Sequence, residues 1–205
     1  MKLFLTRHGQ TDWNIARRYQ GQTDVPLNET GTLQAALLAQ RLSTHVIHAI
    51  YSSDLSRAMT TAKAIAEAQQ LTPVLHSDPR WRELSFGDWE GMTYQEMSAQ
   101  SPELFDAWMK DSLTVSTPNG ETHRQLAERV QSAFDEIKAK HDDETVLVVG
   151  HSGSIQTLLA LTLGVDLSRY WQFRVSQTSL SELTVYEDGV TLNLFNDISH
   201  LTMDN

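Results

Sequence analysis

Lys2-Leu3-Phe4-Leu5-Thr6-Arg7-His8-Gly9-Gln10-Thr11 and Thr145-Val146-Leu147-Val148-Val149-Gly150-His151-Ser152-Gly153 follow one pattern: a short, nearly all-apolar run that stops on a histidine. The runs do not alternate apolar with polar, so neither face of the strand they form is left to water, as in a parallel strand covered on both sides. Leu33 to Leu42 and Ala58 to Ala68, rich in Ala and Leu, read as helices. The apolar stretch Val46 to Tyr51 separates them, and a further short strand is expected around Pro73 to His76. Strand and helix alternate, which predicts an α/β sheet with helices on both faces. Ser181 to Tyr186 and Val190 to Phe195, joined through Glu187-Asp188-Gly189, read as a hairpin that gives the sheet an antiparallel edge strand.

Between Met92 and Gly120 the pattern changes to short helical pieces carrying Tyr94, Met97, Phe105, Trp108 and Met109, closed by Pro118-Asn119-Gly120. Residues 92–120 are therefore expected to form a small helical lid or insertion within a single domain spanning 1–205. Thr122 and Gln125 make a capping-box pair that opens a long helix running to about Lys140. The last residues, 199–205, are expected to be poorly ordered.

Composition removes several chemistries. The 205 residues contain no cysteine, which excludes disulfides, thiolate zinc sites and cysteinyl-phosphate catalysis. Sixteen Lys and Arg against 26 Asp and Glu give a net charge of −10, which disfavours nucleic acid but permits a small anion held by a few arginines. No run reaches membrane-spanning length, and too few apolar residues precede Arg7 for a secretory signal. The expectation is a cytoplasmic protein with no membrane or nucleic-acid partner. The hairpin edge or an apolar lid could serve a homodimer.

In open α/β sheets ligands bind beyond the carboxyl ends of the strands. Behind the four expected strands stand Arg7-His8, then Ser52-Ser53-Asp54-Leu55-Ser56-Arg57, then Arg82-Glu83, then Gly150-His151-Ser152-Gly153. A neutral imidazole is a good nucleophile toward phosphorus, and the phosphoramidate it forms is open to water. His8 fits that role. Arg7 and Arg57 suit the equatorial oxygens of a phosphoryl group, with His151 as a third donor if protonated. Glu83 is the candidate acid for the leaving oxygen, a task that requires it to carry a proton. His45, His48, His76, His123, His141 and His200 have no such company and are read as structural, and Trp89, Tyr94 and Trp108 as core or lid packing, with the lining of an apolar pocket as the alternative. No His-Glu-x-x-His stretch and no Walker-type loop is present, so neither metal nor cofactor is called for.

Arg7-His8-Gly9-Gln10-Thr11 with Trp13-Asn14 resembles the signature of the histidine phosphatase superfamily, the phosphoglycerate mutase-like family. Four further segments resemble family motifs in order: Pro26-Leu27 with Gly31, Ser53-Asp54-Leu55-Ser56-Arg57-Ala58 with Thr61-Ala62, Glu83 with Phe86-Gly87-Asp88-Trp89-Glu90-Gly91, and Val149-Gly150-His151-Ser152-Gly153. The resemblance implies a three-layer α/β/α sandwich and phosphohistidine chemistry without metal. By it His8 is the phosphorylated residue, Arg7, Arg57 and His151 form the phosphate pocket, and Glu83 is the general acid. Asn14 adds a donor, while Gln20, Gly21 and the backbone after His151 are pocket walls. Ser152 stands where many relatives carry glycine. The family's mutases hold a second anionic group with additional cations, whereas Lys110 is the only basic residue from Met92 to Gly120 here. That favours a phosphatase, resembling the broad-specificity and alpha-ribazole phosphatases, over a mutase. A non-catalytic phosphate-binding protein is the third reading, disfavoured because no member of the constellation is missing.

Overall fold

The computed structural model describes residues 1–201. Six strands form one sheet: β1 (Lys2–Arg7), β2 (Ala49–Ser52), β3 (Val74–Ser77), β4 (Thr145–Gly150), β5 (Leu180–Val185) and β6 (Val190–Asp197), in the order β3-β2-β4-β1-β5-β6. β1, β2, β3 and β4 pair in parallel, while β5 lies antiparallel to β1 and β6 antiparallel to β5. The expected hairpin is thus present, with β5 as the reversed strand and β6 at the edge.

The helices are α1 (Asp12–Ile15), α2 (Glu29–Leu42), α3 (Ser56–Glu67), α4 (Tyr94–Gln100), α5 (Pro102–Lys110), α6 (His123–Lys140) and α7 (Ser152–Thr162). Successive strand side chains alternate between faces, so the apolar run of β1 feeds two cores at once. Leu3 and Leu5, with Val146 and Val148 of β4, pack against Leu126, Val130 and Phe134 of α6 and Ile155, Leu158 and Leu159 of α7. Phe4, with Ile50, Leu147 and Val149, packs against Leu38 and Leu42 of α2 and Ala58, Ala62 and Ile65 of α3. This is the α/β/α sandwich, and it explains why the central strands carry no polar alternation.

The capping box expected at Thr122 and Gln125 opens α6: Thr122 Oγ1 accepts from the Gln125 amide at 3.2 Å, and Gln125 Oε1 accepts from the Thr122 amide at 2.8 Å. Residues 92–120 carry α4 and α5, and Met97, Phe105 and Trp108 join Trp89 in a third, aromatic core beside Tyr19 and Phe86. Two boundaries differ from the sequence reading. Val46 and Ile47 precede β2, which begins at Ala49, and a 3-10 turn at Pro79–Trp81 separates β3 from Arg82-Glu83. At the C-terminal end Ser199–Leu201 is a 3-10 turn, and Arg41 of α2 holds the preceding Asp197 at 2.6 Å, contrary to the expectation of poor order from 199 onward. The rest of that segment, 202–205, lies outside the described residues.

Candidate active site

The two histidine motifs meet because their strands are neighbours in register. Arg7 of β1 pairs with Gly150 of β4, so the next residue of each chain segment, His8 and His151, leaves the sheet side by side. The His8 amide donates to the Gly150 carbonyl at 3.0 Å, and the two imidazole centroids stand 5.1 Å apart. Gly9 follows because the loop beyond β1 passes against α2, where a Cβ on Gly9 would strike the Gly31 backbone. Gly31 of the motif Pro26-Leu27…Gly31 is required for the same close approach.

His8 is 3 % exposed, and burial, followed by the positive charges of Arg7 and Arg57, holds it well below the ordinary histidine range. The ring is therefore neutral at pH 7. Its Nδ1 lies 2.6 Å from the Gly9 carbonyl, an acceptor that fixes the tautomer with the proton on Nδ1 and leaves Nε2 with a free lone pair. His151 is fully buried and is likewise held low, first by burial and then by Arg57, His8 and Arg7. Its role as a third donor was conditional on a proton, and burial together with the neighbouring positive charges works against that proton.

Arg57, 0 % exposed in the first turn of α3, donates from Nη1 to the Thr23 carbonyl at 2.8 Å and from Nη2 to the Gly21 carbonyl at 2.7 Å. Burial lowers it to about 10, which still leaves it charged. Arg7 donates from Nη1 to the Val175 carbonyl at 3.0 Å. The buried Nε atoms of Arg7 and Arg57 and both ring nitrogens of His151 have no protein partner. Orphaned buried polar atoms are rare and expensive, so a cluster of them calls for an explanation. A tetrahedral oxyanion beside His8 supplies one.

Glu83 sits across from these groups and accepts through Oε1 from the Leu84 amide at 2.9 Å and the Gly153 amide at 3.0 Å. It faces a cavity of about 750 Å³ whose walls include Arg7, His8, Asn14, Gln20, Arg57, Glu83 and Ser152. Asn14 spends its Oδ1 on the Thr11 amide at 3.0 Å, keeping its side-chain N–H groups for a ligand. Gly21 differs from expectation. It does not line the cavity; its left-handed backbone (φ +52°) turns its carbonyl onto Arg57, so it shapes the site at one remove.

Two other readings change as well, that of His123 and that of the cations. His123, taken as structural, lines the cavity, stacked on Tyr170 with centroids 3.6 Å apart and neither ring nitrogen partnered; burial lowers it to about 4. Trp108 takes both roles left open for these aromatics, core packing and pocket lining, whereas Trp89 is core alone and Tyr94 is half-exposed against Phe105. The shortage of cations holds only within 92–120, because Arg17 and Arg18, which follow α1, join Lys110 in the wall. None of Tyr170, Arg17 or Arg18 sits at a strand end, the signal by which the other residues were found. Among the described residues no three His, Asp or Glu side chains are grouped to hold a metal ion, and no helix is long and apolar enough to cross a membrane.

Comparison with known proteins identifies the family. Phosphoserine phosphatase 1 of Hydrogenobacter thermophilus is 36 % identical over 201 residues, 98 % of this chain and 94 % of that protein. The Yersinia pestis protein named "Probable phosphoglycerate mutase GpmB" is 35 % identical over 99 % of this chain and 96 % of its own length. The alpha-ribazole phosphatase structure from Shigella flexneri superimposes over the whole of both chains with a TM-score of 0.90 at 28 % identity. The model of the histidine phosphatase superfamily (branch 1) matches residues 3–198, and with the histidine pair, the arginine pair and the carboxylate gathered at one sheet edge, the chain belongs to that superfamily.

Proposed function

We propose that this protein hydrolyses a small phosphomonoester through a phosphohistidine at His8, without a metal ion. The observation that carries the reading is the free Nε2 of a neutral His8, held by Gly9 in a cavity that Arg7 and Arg57 also line, each with a buried Nε that has no protein partner, and 5.1 Å from the unpartnered ring of His151. In the first step Nε2 attacks phosphorus as the ester P–O bond breaks, and the leaving oxygen takes the proton of the Glu83 carboxyl. The phosphoimidazole keeps its Nδ1 proton on the Gly9 carbonyl, which offsets the ring's positive charge. In the second step water attacks phosphorus, the Glu83 carboxylate takes the water proton, and phosphate leaves His8, restoring both groups. Arg7 and Arg57 neutralise the equatorial oxygens throughout.

The test is inorganic phosphate release from a panel containing p-nitrophenyl phosphate, phosphoserine, 3-phosphoglycerate and alpha-ribazole phosphate, with chelator present. Release and a trapped phosphoenzyme, both lost in His8→Ala, are expected. Undiminished release from His8→Ala would remove His8 as nucleophile, and loss of rate in chelator would bring a metal into the reaction. The names of the relatives favour a phosphorylated amino acid or nucleoside-like ester as substrate. A mutase is the second reading, favoured by Arg17, Arg18 and Lys110 in the cavity wall and by the Yersinia relative. Conversion of 3- to 2-phosphoglycerate without comparable phosphate release would select it.

A further inference from the structure

Arg129 belongs to no motif and does not line the cavity, yet every donor of its guanidinium is used within one neighbourhood. Nη1 donates to the Arg80 carbonyl at 2.7 Å and to the Arg82 carbonyl at 2.7 Å, and Nη2 donates to the Glu83 carbonyl at 2.8 Å. The two remaining N–H groups go to Glu121, from Nε to Oε1 at 2.8 Å and from Nη2 to Oε2 at 2.9 Å. Glu121 Oε2 in turn accepts from the Ser85 amide at 2.9 Å. The segment 80–85 is thus gripped at three carbonyls and one amide by a single ion pair.

That segment needs a grip from outside. Arg82 to Ser85 is neither helix nor strand after the 3-10 turn at Pro79–Trp81, so no regular ladder satisfies its carbonyls or fixes the direction of Glu83. α6 supplies the rigidity, because it is locked into the core through Leu126, Val130 and Phe134. A lysine cannot replace the fork, having three donors on one atom against five spread in a plane. We propose that Arg129, with Glu121, is the positioning residue for Glu83, setting the general acid's place through its own backbone; this rests on the acid role proposed above.

Misplacing a reacting group by about 1 Å costs on the order of 10²-fold, and general acid catalysis contributes about 10²- to 10⁴-fold. Arg129→Lys should therefore lower kcat/KM for an alkyl phosphate by roughly 30- to 100-fold, and by much less for p-nitrophenyl phosphate, whose leaving group needs little protonation. kcat/KM is the right quantity because it ends at phosphoenzyme formation. Glu121→Gln, which keeps size and the Arg129 backbone contacts, should show the same substrate split in smaller measure and guards against a misfolded Arg129 variant. The deciding experiment repeats both changes in Glu83→Gln. If Arg129 acts through Glu83, either change adds less than about threefold there. Equal losses on both esters, or the same loss with and without Glu83, would reduce the pair to general scaffolding. Should Glu83→Gln alone fail to separate the two esters, the acid assignment is what falls.

Discussion

Gly153→Ala tests the placement of Glu83 from the opposite side of its carboxylate. Gly153 is the second residue of α7, and a Cβ built there lands inside contact distance of Glu83 Oε1, with Cδ at 3.3 Å and Leu126 Cδ2 at 3.6 Å. Its φ is not in the left-handed region, so alanine fits the backbone, and the only neighbour forced to yield is the end of a flexible side chain. Yielding takes the carboxylate off the Gly153 amide, which now reaches Oε1 at 3.0 Å and Oε2 at 3.2 Å. A displacement of about 1 Å predicts a loss on the order of 10²-fold in kcat/KM for an alkyl phosphate, with p-nitrophenyl phosphate losing under about tenfold. Stability moves little. Alanine in a helix gains up to about 1 kcal/mol over glycine, set against a charge-assisted hydrogen bond of about 1.5–3 kcal/mol whose partners both reach water in the cavity. The assay is steady-state phosphate release on both esters beside a thermal melt. A variant that melts like the parent and keeps the parent's ratio between the two esters would refute the reasoning, because the carboxylate would then have moved without consequence.

Arg57→Lys should lower kcat/KM by roughly 10²-fold or more on every ester alike, since one ammonium cannot serve the Gly21 and Thr23 carbonyls and a phosphate together. Uniform loss contrasts with the substrate split expected for Glu83; a split here would blur the two roles. Because His8 is held below 6.5, the nucleophile stays neutral as pH falls through 6.5, so the acid limb of kcat/KM should lie below that value, and a limb centred above it would contradict the burial argument. Folding stability should also depend on pH. His123 titrates at about 4 when folded and near 6.5 when unfolded, so the unfolded chain binds the extra proton between those values. Stability is then full above 6.5 and falls toward 4, by roughly 3 kcal/mol from His123 alone. Urea midpoints from pH 7 to 4 measure this, and His123→Asn should flatten the slope.

The sheet and its chemistry were legible for one physical reason: a strand covered on both faces must be apolar throughout, and in this fold the reactive residues follow directly where such a run ends. That rule reaches Arg7, His8 and His151 directly, whereas Arg57 stands in the first turn of α3 and Glu83 beyond a 3-10 turn after the partly exposed β3. Residues reached by other routes left no such mark. Tyr170 and His123 meet by stacking across segments that are 47 positions apart. Arg17 and Arg18 follow a helix of only four residues, too short to register as periodicity. Gly21 carried a family resemblance but not its job, because what it contributes is a carbonyl direction set by a left-handed φ. Arg129 and Glu121 look like any charged pair near the start of a helix, and only the folded path of 80–85 distinguishes them.

Arg57 and Arg129 solve the same problem at two sides of the cavity. Each is an arginine on a core-anchored helix whose fork holds the carbonyls of an irregular loop, 21–23 for one and 80–83 for the other. The loops are also tied to each other and to acids. Glu90 accepts from the Gln22 amide at 2.9 Å and the Thr23 amide at 2.8 Å, and Gln22 Nε2 reaches the Glu83 carbonyl at 3.3 Å. A phosphate site needs donors fixed before the ligand arrives, since reorganising them during the reaction would forfeit much of their effect. Here the fixing comes from charged side chains bonded to backbone, so exchanges that keep charge but lose the planar fork should damage the site more than changes to its apolar walls. The same geometry separates duties: Arg57 lines the cavity and holds the carbonyls of 21 and 23, whereas Arg129 lies outside the cavity and, paired with Glu121, holds the segment that carries the proposed acid. Substitutions at the first should depress all substrates together, and at the second only those whose leaving group needs a proton.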